Sequence, residues 1–199
     1  FNPYYLNRMT IKTQRILTRA KKLIRKGEID QAKFLYSSIL KSFPENQEAK
    51  KELLKLDQFQ NINSKKEQID AVMKLYSSNK MEEALSSVNL LVNEYPNDSL
   101  LCNISGACYS ALDHNDAAIK CFERATKLQP DYAEAHFNLG VAFQKLKKID
   151  SSIMSYENAI KFIHSYPAAH NNLGVIKLSQ GEFNSAVKSF EWAIAYSPN

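Results

Sequence analysis

Three glycines, Gly106, Gly140 and Gly174, stand 34 residues apart, and the residues around them repeat with the same spacing. Aromatics recur at Phe122, Tyr156 and Phe190, small residues at Ala125, Ala159 and Ala193, and prolines at Pro96, Pro130 and Pro198. Ala84, Ala118 and Ala186 hold one further phase. A fixed period of this length constrains the chain more than any local propensity. It requires one supersecondary unit, used several times, whose apolar face is buried only against its neighbours.

The unit reads as two helices joined by a short turn. Small residues fall where two helix backbones must approach closely, so Gly140 and Gly174 give up about 1 kcal/mol of helix propensity each in exchange for packing. Gly27, Asn79, Asp113, Lys147 and Gly181 share the turn phase. Four of the five are residue types that tolerate a left-handed backbone at a helix C-terminus. Pro44, Pro96, Pro130 and Pro198 fall where the second helix should stop.

This combination resembles the tetratricopeptide family, whose signature runs W-x2-L-G-x2-Y, then A-x3-F, then A, then P. The best copies read Leu139-Gly140-Val141-Ala142-Phe143 with Ser152-x3-Tyr156-x2-Ala159, and Leu173-Gly174 with Ala186-x3-Phe190-x2-Ala193. The resemblance implies an all-α, right-handed superhelical solenoid of antiparallel helix pairs. Its expected divisions are an N-terminal extension at 1–12, a first helix pair at 13–46, an extra helix or linker at 47–64, and repeats at 65–98, 99–132, 133–166 and 167–199. Ala49, Leu53, Leu54 and Leu56 begin the 47–64 stretch in the phase of a first helix, and an unpaired helix is expected over about 46–59. The tryptophan phase of the first helix departs from the signature, with Ile16, Gln68, Cys102, His136 and His170 in its place.

The family's inward-facing positions predict a ligand groove lined by Asn103, Phe137, Asn138, Val141, Gln144, Lys145, Asn171, Asn172 and Val175, with Ala107, Ser110 and Leu178 beside them. In the second copy they give Lys66, Ile69, Asp70, Met73 and Tyr76. Asn138 and Asn172 share one phase and resemble two rungs of the asparagine ladders found in the family, although the third copy has Ile104 there. Amides so spaced can both donate to and accept from an extended peptide backbone. The family's carboxylate clamp for chaperone tails needs Lys and Asn at fixed positions in three successive copies, which this chain does not supply.

The charge of +5 is uneven: residues 1–64 carry 13 Lys/Arg and 6 Asp/Glu, and residues 65–199 carry 13 and 15. Lys12, Arg15, Arg19, Lys22 and Lys26 fall at steps of three or four and form a basic face on the first helix. That face reads as the solvated outer surface of the array or as a docking face for an acidic partner, a membrane surface or nucleic acid. Without interleaved aromatics the nucleic-acid reading is the weakest. At the other end Trp192 stands where earlier copies hold Ser38, Leu90, Arg124 and Asn158, which makes it a candidate interface anchor for self-association.

No HExxH, paired CxxC, phosphate loop, GxGxxG or GxSxG occurs, so no catalytic residue, metal or cofactor is assigned. No apolar stretch is long enough to cross a membrane. Cys102, Cys108 and Cys121 lack metal or disulfide spacing and suit a cytoplasmic setting. The expected function is a protein- or peptide-binding scaffold. The alternatives are the substrate-recognition N-terminal region of a larger bacterial enzyme, of sulfotransferase, glycosyltransferase or oxygenase type, and self-association through the C-terminal repeat. The chain starting at Phe1 and stopping at Asn199 is expected to be a piece of something longer or to pair with another copy.

Overall fold

The computed structural model describes residues 3–197, with side chains from Ile11 onward. All its regular elements are helices: α1 (Pro3–Arg25), α2 (Ile29–Ser42), α3 (Gln47–Ser77), α4 (Met81–Glu94), α5 (Ser99–Ala111), α6 (Asn115–Leu128), α7 (Ala133–Lys145), α8 (Ile149–Phe162), α9 (Pro167–Ser179) and α10 (Phe183–Ala195). They form two compact units, Phe1–Gln68 and Ile69–Asn199.

The first unit is a three-helix cluster. Leu17 and Ala20 of α1, Ala32, Tyr36 and Ile39 of α2, and Ala49 and Leu56 of α3 share one core. Lys21 pairs with Glu48 at 2.7 Å, and Lys33 pairs with Asp57. The expected unpaired helix over 46–59 is therefore corrected: it packs on the first helix pair. It also does not stop at 59. Residues 47–77 contain no glycine or proline, so nothing breaks the backbone ladder, and α3 continues for 31 residues as the first helix of the next pair. Most of the expected 1–12 extension likewise lies within α1, which begins at Pro3.

In the second unit the end of α3 pairs with α4, then α5 with α6, α7 with α8 and α9 with α10. The first helices of the last three pairs each have 13 residues. All five intra-pair turns close the same way. The N–H groups of Glu28, Lys80, His114, Lys148 and Glu182 donate to the carbonyls of Leu23, Leu75, Tyr109, Phe143 and Lys177, each at 2.9–3.0 Å. This six-to-one bond needs a left-handed residue just before the donor. Gly27 and Gly181 supply it at φ 79°, and Asn79, Asp113 and Lys147 at φ 58–60°. The helices before Pro44, Pro96 and Pro130 end at Ser42, Glu94 and Leu128. The stop assigned to Pro198 lies outside the described residues.

The glycine phase packs against the aromatic phase. A Cβ built on Gly106 would meet the Phe122 ring at 2.6 Å, one on Gly140 the Tyr156 ring at 2.6 Å, and one on Gly174 the Phe190 ring at 2.7 Å. The two earlier copies solve the same contact with other sizes: Val72 with Val88, and Ala20 with Tyr36, all buried. Each hairpin thus fills one shared space with two side chains of matched size, which close packing demands.

Candidate functional site

The first helices α5, α7 and α9 carry the predicted groove residues. The structure separates those held by several hydrogen bonds within the protein from those more exposed to solvent.

Asn103 is 3 % exposed. Its amide donates to the Tyr132 hydroxyl at 3.3 Å and to Glu134 Oε1 at 3.2 Å. Its side-chain oxygen accepts from Asn138 Nδ2 at 3.0 Å. It therefore welds α5 to α7. Lys145 performs a similar task at the far end of α7, donating to the Ser110 carbonyl at 2.8 Å and lying 3.4 Å from Asp113 Oδ1. Gln144 accepts from the Tyr156 hydroxyl at 2.8 Å, and that same hydroxyl accepts from Asn172 Nδ2 at 3.1 Å. One phenol so joins α7, α8 and α9. Its burial raises its pKa above the ordinary tyrosine value, because the low-dielectric site disfavours the phenolate.

The remaining groove positions are more open. Asn171, Val175 and Leu178 are exposed, and Asn138, Val141 and Asn172 are half-buried. The side-chain carbonyls of Asn138 and Asn172 receive no hydrogen bond from a described residue. Phe137 faces inward, edge-on to Tyr166 with ring centroids 5.1 Å apart. In the earlier pair, Asp70 and Met73 are exposed, while Ile69 and Tyr76 pack against the cluster around Val72. Lys66 is an exposed residue of α3 in the first unit.

His136 and His170 share a repeat phase and a job. His136 Nε2 lies 2.9 Å from the Pro130 carbonyl, and His170 Nε2 lies 3.0 Å from the His164 carbonyl. Each pins the turn that precedes its own helix, filling the place that the family signature gives to tryptophan. Among the described residues no three His, Cys, Asp or Glu side chains converge as a metal set. No described helix is long and apolar enough to cross a membrane. The cysteines are free thiols.

The five basic side chains Lys12, Arg15, Arg19, Lys22 and Lys26 are all exposed on the first unit, and none forms an ion pair with a described residue. Trp192 is 46 % exposed but not isolated. It stacks on Tyr196 with centroids 5.4 Å apart and meets His164 edge-on at 5.4 Å. The more open apolar side chains of α10 are Phe183 at 66 %, Val187 at 55 % and Ile194 at 75 %.

Repeated helical hairpins with a 34-residue period, one shared turn geometry and matched packing within each pair define a helical-repeat protein. Residues 109–147 match the family described as TPR repeat, and residues 133–163 and 167–199 match the family described as tetratricopeptide repeat. Over these residues the chain is made of tetratricopeptide repeats. No curated protein sequence matches it.

Among solved structures, it is similar to MamA at 24 % identity and a TM-score of 0.59, covering 89 % of this chain and 93 % of that one. It is similar to a thermophilic TPR protein of Thermus thermophilus at 20 % identity and a TM-score of 0.58, covering 94 % and 92 %. The first TPR domain of Spaghetti (RPAP3), solved bound to the HSP90 peptide SRMEEVD, aligns at 20 % identity and a TM-score of 0.55 over 56 % of this chain and 89 % of that one. These likenesses show the fold.

Proposed function

We propose that the chain is a binding scaffold that holds an extended peptide or a partner segment along the inner side of α7 and α9. The observation that carries this reading is the state of Asn138 and Asn172. Each uses its amide N–H for a bond inside the protein, which fixes the side chain, and each keeps its carbonyl oxygen for a guest. Side chains held in advance lose little entropy on binding. An extended backbone presents N–H donors at regular spacing, which suits two acceptors on successive repeats. Val141, Val175 and Leu178 add apolar surface between the polar points. That a neighbour of the same fold was solved with a peptide supports this class of guest.

The test is a calorimetric titration with a panel of unstructured peptides, comparing the parent with Asn138→Ala/Asn172→Ala. A loss of affinity of about fivefold to a hundredfold is expected, since each of the two lost hydrogen bonds contributes about 0.5–1.5 kcal/mol. Equal affinities would remove the two amides from the reading.

A second reading rests on α10. Phe183, Val187 and Ile194 are exposed, whereas their counterparts one repeat earlier, Ile149, Ile153 and Ile160, are partly buried beside α9. A face of this kind favours association with another helix, including that of a second copy. Trp192, the anchor expected from the sequence, is half exposed and stacks in an aromatic cluster with His164, His170 and Tyr196. Light scattering over a range of concentrations, with Val187→Glu/Ile194→Glu for comparison, tests it. A parent that stays monomeric at high concentration excludes self-association.

A further inference from the structure

The groove discussed above lies on one side of the last two hairpins, and a second, chemically different pocket lies on another. It opens between α8 and α10 over the side of α9 that carries His170, Leu173 and Lys177. Lys161 comes from α8, Lys177 from α9 and Lys188 from α10, so three helices each bring one lysine to the lining of one hollow. Trp192 and the imidazoles of His164 and His170 form its aromatic wall. Its single carboxylate is Glu157.

The internal repeat shows that this hollow is particular to its place. Lys177 occupies the phase of Phe143, Tyr109 and Leu75, side chains that pack against the hairpin cores. Lys188 occupies the phase of Met154, and Trp192 that of Asn158. Where the other copies close the junction with an apolar side chain, this one ends it in a half-buried lysine. None of the three lysines forms an ion pair with a described residue. Lys161 lies only against a ring, 5.7 Å from the centroid of Phe162. Three lysines without ion-pair partners around one pocket with a π-rich wall give it a positive local field, which favours a negatively charged guest.

We propose that this pocket is a second binding site, and that its occupant is an acidic segment of a partner protein whose carboxylates reach Lys161, Lys177 and Lys188 while a neighbouring apolar or planar group rests on Trp192. The charge of the surroundings selects a short peptide over a nucleic acid. Residues 65–199 carry 13 basic and 15 acidic side chains, so a long polyphosphate laid over this half of the chain would meet net repulsion beyond the pocket. A few carboxylates fit the local patch alone. Lysines act as point charges rather than bidentate forks, so the site reads the presence of acidic side chains more than their geometry.

Trp192 is the sole tryptophan, so the protein carries its own reporter. The full chain is titrated with a ten-residue peptide alternating Glu and Ser, with the same peptide bearing Gln for Glu, and with a ten-nucleotide oligothymidylate, following tryptophan emission. The acidic peptide is expected to shift the emission saturably and to bind at least tenfold more weakly in 0.5 M salt. The Gln peptide should give no saturable shift. Lys177→Gln/Lys188→Gln, checked for parental helicity and unfolding midpoint, should weaken the acidic peptide at least tenfold. Asn138→Ala/Asn172→Ala should leave that binding unchanged, which separates this site from the groove. Equal response to the Gln peptide, full affinity in the lysine variant, or tighter binding of the oligonucleotide would each overturn the proposal. A second lysine pair, Lys161→Gln/Lys177→Gln, keeps it testable if the first does not fold.

Discussion

The aromatic ring of Tyr156 lies directly over the backbone of Gly140, so close that a methyl group on the glycine would sit 2.6 Å from Cε1 of the ring. The contact joins the two helices of one hairpin, and the hydroxyl of the same tyrosine reaches across to α9 through Asn172. Packing within a hairpin and between hairpins is thereby set by one side chain.

Gly140→Ala is expected to destabilise the protein although alanine is the better helix former. Propensity favours the change by about 1 kcal/mol, and overpacking opposes it by about 1–3 kcal/mol. Tyr156 is fully buried and cannot swing away. Phe190, the partner of Gly174, is only half-buried, so Gly174→Ala should cost less. Urea unfolding of the two variants gives the comparison. A stabilised Gly140→Ala would mean that the hairpin yields freely, as the first unit does by seating Ala20 beside Tyr36.

Tyr156→Phe keeps the ring, which Phe122 and Phe190 show the site accepts, and removes a hydroxyl engaged by Gln144 and Asn172. A loss of about 1–3 kcal/mol is expected, because two half-buried amides lose a partner. Unfolding midpoints at pH 7 measure it.

Lys147 holds φ at 58° in a turn where two other copies use glycine at 79°. Left-handed backbone costs an ordinary residue about 1–2 kcal/mol, part of which glycine returns as extra freedom in the unfolded chain. Lys147→Gly should therefore raise stability by about 0.5–1 kcal/mol. The side chain is exposed and makes no described contact, so thermal unfolding of this variant isolates the backbone effect.

Alkaline pH should weaken the fold. Burial pushes the Cys108 thiol up to about 11, and it is the largest cause of the raised values of Tyr36, Tyr76, Tyr132, Tyr156 and Tyr166. In the unfolded chain these groups ionise at their ordinary, lower pKa. Their contribution is complete below those values and disappears as pH rises through the folded ones. The urea midpoint should fall between about pH 9 and 11, and less steeply in Cys108→Ala.

Much of this was legible in the sequence. Spacing alone located the five intra-pair turns, the helix stops before Pro44, Pro96 and Pro130, and the positions where helices touch, because each follows from the local demands of a glycine, a left-handed turn or a proline. The fate of residues 47–64 was less legible. The phase of Ala49, Leu53 and Leu56 announced a helix, but its cover came from α1 and α2, and its run into the next pair depended on the absence of a breaker rather than on any positive signal. The lysine pocket left a trace, Lys177 in an apolar phase, that could be noticed only by comparing copies position by position.

Periodicity determined by itself that this chain must pile helical hairpins and which residue of each must be small, since those requirements are local and recur from copy to copy. The three-dimensional arrangement decided which polar side chains are engaged within the protein and how deeply each is buried. Asn103 and Asn138 look alike in sequence, yet Asn103 is buried with both its amide and its oxygen engaged while Asn138 is half-buried and engaged through its amide, because hydrogen-bond partners come from helices that only the packing brings within about 3 Å.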